Sequence, residues 1–252
     1  MLNIVLPMAG RGSRFAKAGY SVPKPFIDVC GKPMIQRVVE NLRPQCEHRF
    51  IFICQKDHLV KFDGERLLKN LTKDPVIIGI DYITDGQLSS ALLAREFIEN
   101  DDPLMTANTD QYIDFDVNDY LSLMSKQALD GLIMTMKADD PKWSFVKLSE
   151  STGLVEETAE KKVISDQATV GIYNFAKGRD FCWAADSLIK KDLRVNGEFY
   201  ICPLYNELIS VGKRIGAYNI GSERAGMYGL GIPADLDYFL TTPIANEMRG
   251  KR

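Results

Sequence analysis

The sequence predicts an α/β protein built on a mainly parallel sheet, and three observations carry that expectation. Short apolar runs rich in β-branched residues alternate with amphipathic stretches through the first half of the chain. The first run breaks at once into a glycine loop, Gly10-Arg11-Gly12, and ligands of such sheets gather at the carboxyl ends of strands. At 252 residues and 45% hydrophobic content, the chain is long and apolar enough for one large core.

Taken in order, Leu2 to Leu6 reads as a buried strand. Phe26 to Val29 is a short extended piece, and Gly31-Lys32-Pro33 leads into a helix with Pro33 in its first turn. Ile35, Val38, Val39 and Leu42 recur at i, i+3, i+4, i+7, one apolar helix face. Arg49 to Cys54 is a strand, part of Leu59 to Leu71 a helix, and Val76 to Tyr82 a strand opened by Pro75. Thr84 to Gln87 is a turn before a helix over Leu88 to Ile98. Leu104 to Ala107 is a buried strand that delivers Asn108-Thr109-Asp110-Gln111 at its carboxyl end, where Asp110 is placed to face the glycine loop. From Asp130 the pattern changes. Leu132 to Lys137, Ser144 to Leu148, Gly153 to Glu156 and Thr169 to Phe175 are strand-like, a β-rich section expected to lie over the open side of the first half. Helices follow around Phe181 to Ile189 and Ile201 to Ile209, then a strand over Arg214 to Ile220 and a helix from Pro233. No internal repeat, low-complexity tract or linker interrupts the chain, so one domain is expected.

Composition narrows the function. A formal net charge of -3 and a pI near 5.6 give no global attraction for nucleic acid or an anionic membrane, so any phosphate binding must come from local clusters. Five scattered cysteines without a C-x-x-C read as free thiols in a reducing cytoplasm, and only His48 and His58 are available as imidazole ligands. The first residues enter a strand without a charged leader, and no apolar run reaches spanning length, so a soluble protein without signal peptide is expected.

The chemistry concentrates early. Glycines let backbone N–H groups approach an anion, Arg14 offers a forked permanent charge, and Lys24 is stiffened between Pro23 and Pro25. No Walker A sequence is present, and Phe15 stands where a dinucleotide loop needs its third glycine. The ordered blocks Gly10-Arg11-Gly12-Ser13-Arg14, Pro23-Lys24-Pro25 and Gly31-Lys32-Pro33 instead resemble the signature of the sugar-phosphate nucleotidylyltransferases, the NDP-sugar pyrophosphorylases. The resemblance is close to Asp110 and looser beyond it, and is nearest to members associated with capsule or surface polysaccharide.

That resemblance implies a three-layer, Rossmann-like (GT-A-like) α/β sandwich with a mixed central sheet and a β-rich acceptor-binding sub-region. It implies a single domain over 1–252, with a nucleotide-binding half at 1–128 and an acceptor-binding half at 129–252. The implied reaction joins an NMP from an NTP to a sugar-1-phosphate or related acceptor and releases pyrophosphate. Ala9, Gly10, Arg11, Gly12 and Ser13 would surround the nucleotide phosphates, with Arg14, Lys24 and Asp110 catalytic and Asp110 holding Mg²⁺. Gly86 and Gln87 would meet the base, with a pyrimidine favoured. Ser144, Lys161, Gly171 and Glu198 would bind the acceptor, Lys162 being the other candidate for the acceptor-phosphate lysine. One departure is plain: Gly229 stands where many members carry a second metal-binding aspartate. The implied partners are an NTP and a phosphorylated acceptor, with no nucleic acid or membrane and room for a homo-oligomer.

Two other readings remain. A glycosyltransferase of related fold usually carries D-x-D, which Asp110-Gln111-Tyr112 does not supply. A non-catalytic nucleotide-sugar sensor accommodates the missing carboxylate but leaves Arg14, Lys24 and Asp110 together without a task. Asp110 and Glu198 taken singly also fit ordinary turn and helix-start residues, and Glu160-Lys161-Lys162 a solvated charge run.

Overall fold

A computed structural model describes residues 1–10 and 12–250. The strands, in chain order, are β1 Leu2–Pro7, β2 Asp28–Val29, β3 Lys32–Pro33, β4 His48–Gln55, β5 Val76–Ile80, β6 Leu104–Ala107, β7 Gln111–Ile113, β8 Gly131–Lys137, β9 Ser144–Leu148, β10 Val155–Glu160, β11 Gln167–Phe175, β12 Ile215–Glu223 and β13 Gly226–Gly229. An eleven-stranded sheet runs β5-β4-β1-β6-β11-β8-β12-β13-β7, with β9 and β10 joined off β11. β2 and β3 form a separate hairpin.

β1 sits between β4 and β6, parallel to both, with Val5 opposite Ile51 on one side and Thr106 on the other. Leu2 to Leu6 are all buried, as expected of a strand covered on both faces. The helix Met34–Leu42 turns Met34, Ile35, Val38, Val39 and Leu42 inward, each burial contributing about 2 kcal/mol before chain entropy is subtracted. The α/β class and the mixed sheet agree with expectation.

The second half differs from the expected cover. β11 runs antiparallel to both β6 and β8, so the late strands extend the same sheet rather than lying over it. Ala168 to Phe175 are buried throughout, which an overlying flap could not offer. Only the antiparallel β9–β10 pair leaves the main path. Local corrections are smaller. Pro33 ends β3 and precedes the helix, and the Leu59 to Leu71 region holds two helices, Lys56–Lys61 and Gly64–Leu71, broken where Asp63 takes a positive φ of 52°. The Leu88 to Ile98 helix is split by a 3-10 turn at Leu92–Ala94.

The segment that carries Lys24 is anchored from below. Phe26 stacks on Phe62 at 5.8 Å between ring centroids, and His58 meets both rings edge-on. Burial holds the His58 imidazole below its ordinary pKa, Asp57 pulling it up and Lys61 pushing it down, and its Nδ1 has no hydrogen-bond partner. A histidine whose folded pKa is depressed stabilises fully above its unfolded value of about 6.5 and loses that contribution as pH falls through the folded value. The melting temperature should therefore fall between about pH 7 and 5, and less so in His58→Gln. Equal pH profiles for the two proteins would contradict this.

Candidate active site

The carboxyl ends of β1 and β6 open onto a cleft of about 880 Å³ whose walls come from both halves of the chain. From β1 the chain passes through Gly10 to Gly12, whose φ of 58° is left-handed, and into the short helix Ser13–Lys17. Arg11 lies outside the described residues. Ala9, Gly10, Gly12, Ser13 and Arg14 all line the cleft except that Ala9 is itself nearly buried. A Cβ on Gly12 would stand 3.4 Å from the Cβ of Lys24, so the loop and the proline-framed lysine are in contact.

Lys24 opens a 3-10 turn, Lys24–Phe26, and its Nζ donates to Asp110 Oδ2 at 2.8 Å. Asp110 lies three residues beyond the end of β6, and its backbone oxygen accepts from Leu230 N–H at 2.7 Å. That bond draws the strand-end segment after β13 against it, and a Cβ on Gly231 would lie 2.6 Å from Asp110 Oδ2. Gly229, at the place of the absent aspartate, faces Asp235 instead, with its Cβ position 3.2 Å from Asp235 Oδ2. Among the described residues no three His, Cys, Asp or Glu side chains group to hold a metal ion.

Ile83, Thr84, Asp85, Gly86 and Gln87 form another wall. Gly86 has φ 107°, and a Cβ there would come 2.5 Å from Phe199 O, so no larger residue fits this approach. The Gln87 amide nitrogen donates to Asn108 Oδ1 at 2.6 Å. Asn108 also fills the space beside Gly171, where a Cβ would meet it at 2.1 Å, so this glycine makes room for Asn108 rather than for an open acceptor face.

Adjoining that turn, Gly197, Glu198 and Tyr200 also line the cleft. Glu198 is not at a helix start. Asn196 and Gly197, with φ of 51° and 80°, make a tight turn closed by paired bonds between Val195 and Glu198. Tyr200 O–H donates to Glu198 Oε2 at 2.7 Å, and Lys161 Nζ donates to the Tyr200 oxygen at 2.6 Å. Burial, with Glu198 beside it, pushes the Tyr200 phenol well up. Lys161, not the exposed Lys162, therefore reaches this wall. Ser144 is buried behind it, its hydroxyl donating to Glu160, whose carboxyl burial raises above the ordinary range. Ser144, Lys161 and Gly171 do not themselves line the main cleft.

Sequence reading missed Asn108 as a hub, and Tyr200 and Glu160 as partners. The alternation Glu198-Phe199-Tyr200, which sets two polar tips two residues apart, was the available signal for Tyr200.

Residues 4–160 match the MobA-like NTP transferase domain, and the chain belongs to that family. The nucleoside-diphosphate-sugar pyrophosphorylase from Vibrio cholerae RC9 is similar in structure, with a TM-score of 0.79 at 27% identity, covering 95% of this chain and all of that one. A UDP-glucose pyrophosphorylase solved with UDP-glucose shares the fold at TM-score 0.76 and 18% identity, over 100% of both chains. In sequence, the mannose-1-phosphate guanylyltransferase catalytic subunit beta of Xenopus tropicalis is 24% identical over 188 residues, 69% of this chain and 50% of that protein. The chain spans about half the length of the curated relatives first matched.

Proposed function

We propose that this protein is a nucleotidylyltransferase that joins an NMP from an NTP to a sugar-1-phosphate or related phosphorylated acceptor and releases pyrophosphate. The observation that carries this reading is the Lys24–Asp110 pair, held 2.8 Å apart in one cleft with the glycine loop and Arg14. An oxygen of the acceptor phosphate attacks the α-phosphorus, the bond to the β-phosphate oxygen breaks, and pyrophosphate leaves in line. Such a transfer needs placement and charge neutralisation more than covalent help. Gly10 and Gly12 amides with Arg14 hold the β- and γ-phosphates, and Ala9, Arg11 and Ser13 are assigned to the same phosphate-binding stretch. Lys24 leaves Asp110 to reach the α-phosphate, where charge develops. Gly86 and Gln87 face the base, and Lys161 swings from Tyr200 to the acceptor phosphate while Glu198 accepts acceptor hydroxyls.

On this reading one carboxylate, Asp110, would hold Mg²⁺ together with nucleotide phosphates and water, a common habit of this ion. When bound, it would neutralise phosphate charge and orient phosphate oxygens.

A pyrimidine nucleotide, a cytoplasmic setting and supply of activated sugar for surface polysaccharide complete the proposal. The five free cysteines fit a reducing compartment, and no described helix is long and apolar enough to cross a membrane. Pyrophosphate release from UTP, dTTP, CTP, GTP and ATP, each with glucose-1-phosphate or mannose-1-phosphate and Mg²⁺, tests the reading. Release requiring both substrates supports it. Turnover only with a finished nucleotide-sugar and a sugar acceptor would favour a glycosyltransferase, and stabilisation by GTP or ATP alone in thermal-shift titration would overturn the pyrimidine preference.

Lys161→Ala should raise the acceptor KM by about tenfold or more and leave the NTP KM near its wild-type value, since loss of one charged partner costs about 1.5–3 kcal/mol. Steady-state kinetics varying each substrate checks this. A raised NTP KM with an unchanged acceptor KM would move Lys161 to the other side of the cleft.

A further inference from the structure

The turn over Thr84–Gln87 and the segment Gly197–Tyr200 are assigned to different substrates by the proposed function, yet they adjoin. Phe199 N–H donates to Asp85 O at 2.8 Å, and Leu88 N–H donates to Phe199 O at 3.1 Å. The fit is close enough that any Cβ on Gly86 would strike the Phe199 backbone. One side chain, Arg194, contacts both segments of this junction. Arg194 Nη1 donates to Asp85 Oδ2 at 3.2 Å and to Gly197 O at 3.0 Å, and its guanidinium lies 4.0 Å over the Phe199 ring. Its Nε donates to Asp192 at 2.7 Å, which fixes the fork's direction.

We infer that Arg194 is a positioning residue that ties the nucleobase turn to the acceptor segment, so that filling one side orders the other. The inference rests on the nucleotidyl-transfer reading and deepens it. Asp85 precedes Gly86 and Gln87, which face the base. Gly197 and Phe199 flank Glu198, and Phe199 precedes Tyr200, through which Lys161 is held. A base that settles the turn therefore settles the backbone from which Glu198 and Tyr200 project. Coupling of this kind is reciprocal, so acceptor and nucleotide each tighten the other. Lysine at this position keeps a charge but has one nitrogen, so it cannot hold Asp192 as Nε does and Asp85 with Gly197 as Nη1 does while lying flat on a ring. Arg194 does not line the cleft, so its effect must pass through these neighbours.

The test is calorimetric. The acceptor of the pair that releases pyrophosphate fastest is titrated into protein with and without the α,β-methylene analogue of its NTP, which binds but cannot transfer. In wild-type protein the analogue should tighten acceptor binding by about tenfold, within the usual range of such coupling. In Arg194→Ala the factor should fall to about one while the melting temperature stays within about 3 °C, and Arg194→Lys should lie between. Asp85→Asn, which weakens the same pair from the other wall, should reproduce the loss and guards against a misfolded arginine variant. A wild-type factor of one, or a tenfold factor retained in both variants, would overturn the inference alone. Wild-type protein that releases no pyrophosphate with any pair would overturn the reading on which it stands, and the inference with it.

Discussion

Lys24→Ala is expected to lower kcat by about 10²-fold or more while the protein stays folded, because it removes one preorganised charge from the place where α-phosphate charge develops. The structure adds a second reason. Lys24 is the ion-pair partner of Asp110, so alanine also leaves a bare carboxylate where the proposed mechanism brings phosphates. Stability should change little. The two side chains are 24% and 28% exposed, and a pair that accessible to water contributes only about 0–1 kcal/mol, or a few degrees in melting temperature for a chain of this size. A lost rate with an unchanged melting temperature and circular dichroism is the expected outcome. Near-wild-type turnover would remove Lys24 from the chemistry.

Asp110→Asn should be as damaging by a different route, with a loss of about 10²–10³-fold at saturating Mg²⁺. Asparagine keeps the volume and leaves the backbone bond from Leu230 intact, so the strand-end geometry survives and only the charge is lost. With Gly229 in place of a second aspartate and Lys24 already on Asp110, the free protein should bind Mg²⁺ weakly, and the nucleotide should be needed for tight binding. Calorimetry of Mg²⁺ into protein with and without the α,β-methylene NTP analogue separates the cases. Tight binding to the free protein, or a rate in Asp110→Asn close to wild type, would contradict this assignment. The two substitutions act on one unit, so the double variant should lose less than the sum of the single losses.

Much of this was legible in the residues because the decisive signals are local. An apolar run ending in glycines, a lysine between prolines and a strand ending in Asn-Thr-Asp each fix a backbone and a side chain within a few positions. The helix face of Ile35, Val38, Val39 and Leu42 was equally readable, since burial follows its period. What stayed hidden depends on distant pairing. β7 and β13 are three and four residues long and exist because β7 pairs with β13 and β13 also pairs with β12. β11 reads as a strand in isolation, but nothing in it says that it enters between β6 and β8. The helix Val117–Lys126 has a mixed pattern with only Val117 and Tyr120 buried, too little for a clear period.

The acceptor side shows the same division. Glu198 and Lys161 were singled out by likeness to a known pattern, whereas the Tyr200 oxygen, 39 residues from Lys161, that joins them needed the fold. Gly171 was legible as a glycine that admits a close approach, but the neighbour that fills the space, Asn108, comes from just beyond the end of another strand. Glycine marks a close approach without naming what approaches.

Phosphorus NMR of one complete reaction mixture tests most directly whether a nucleotidyl group is transferred with pyrophosphate as the leaving group. With Mg²⁺, the best NTP and its sugar-1-phosphate, the account predicts that NTP and sugar phosphate signals fall together. Pyrophosphate and a new two-phosphate diester should rise in equal amounts. Orthophosphate as the product, a nucleoside monophosphate without the diester, or consumption of NTP with the sugar phosphate untouched would contradict it.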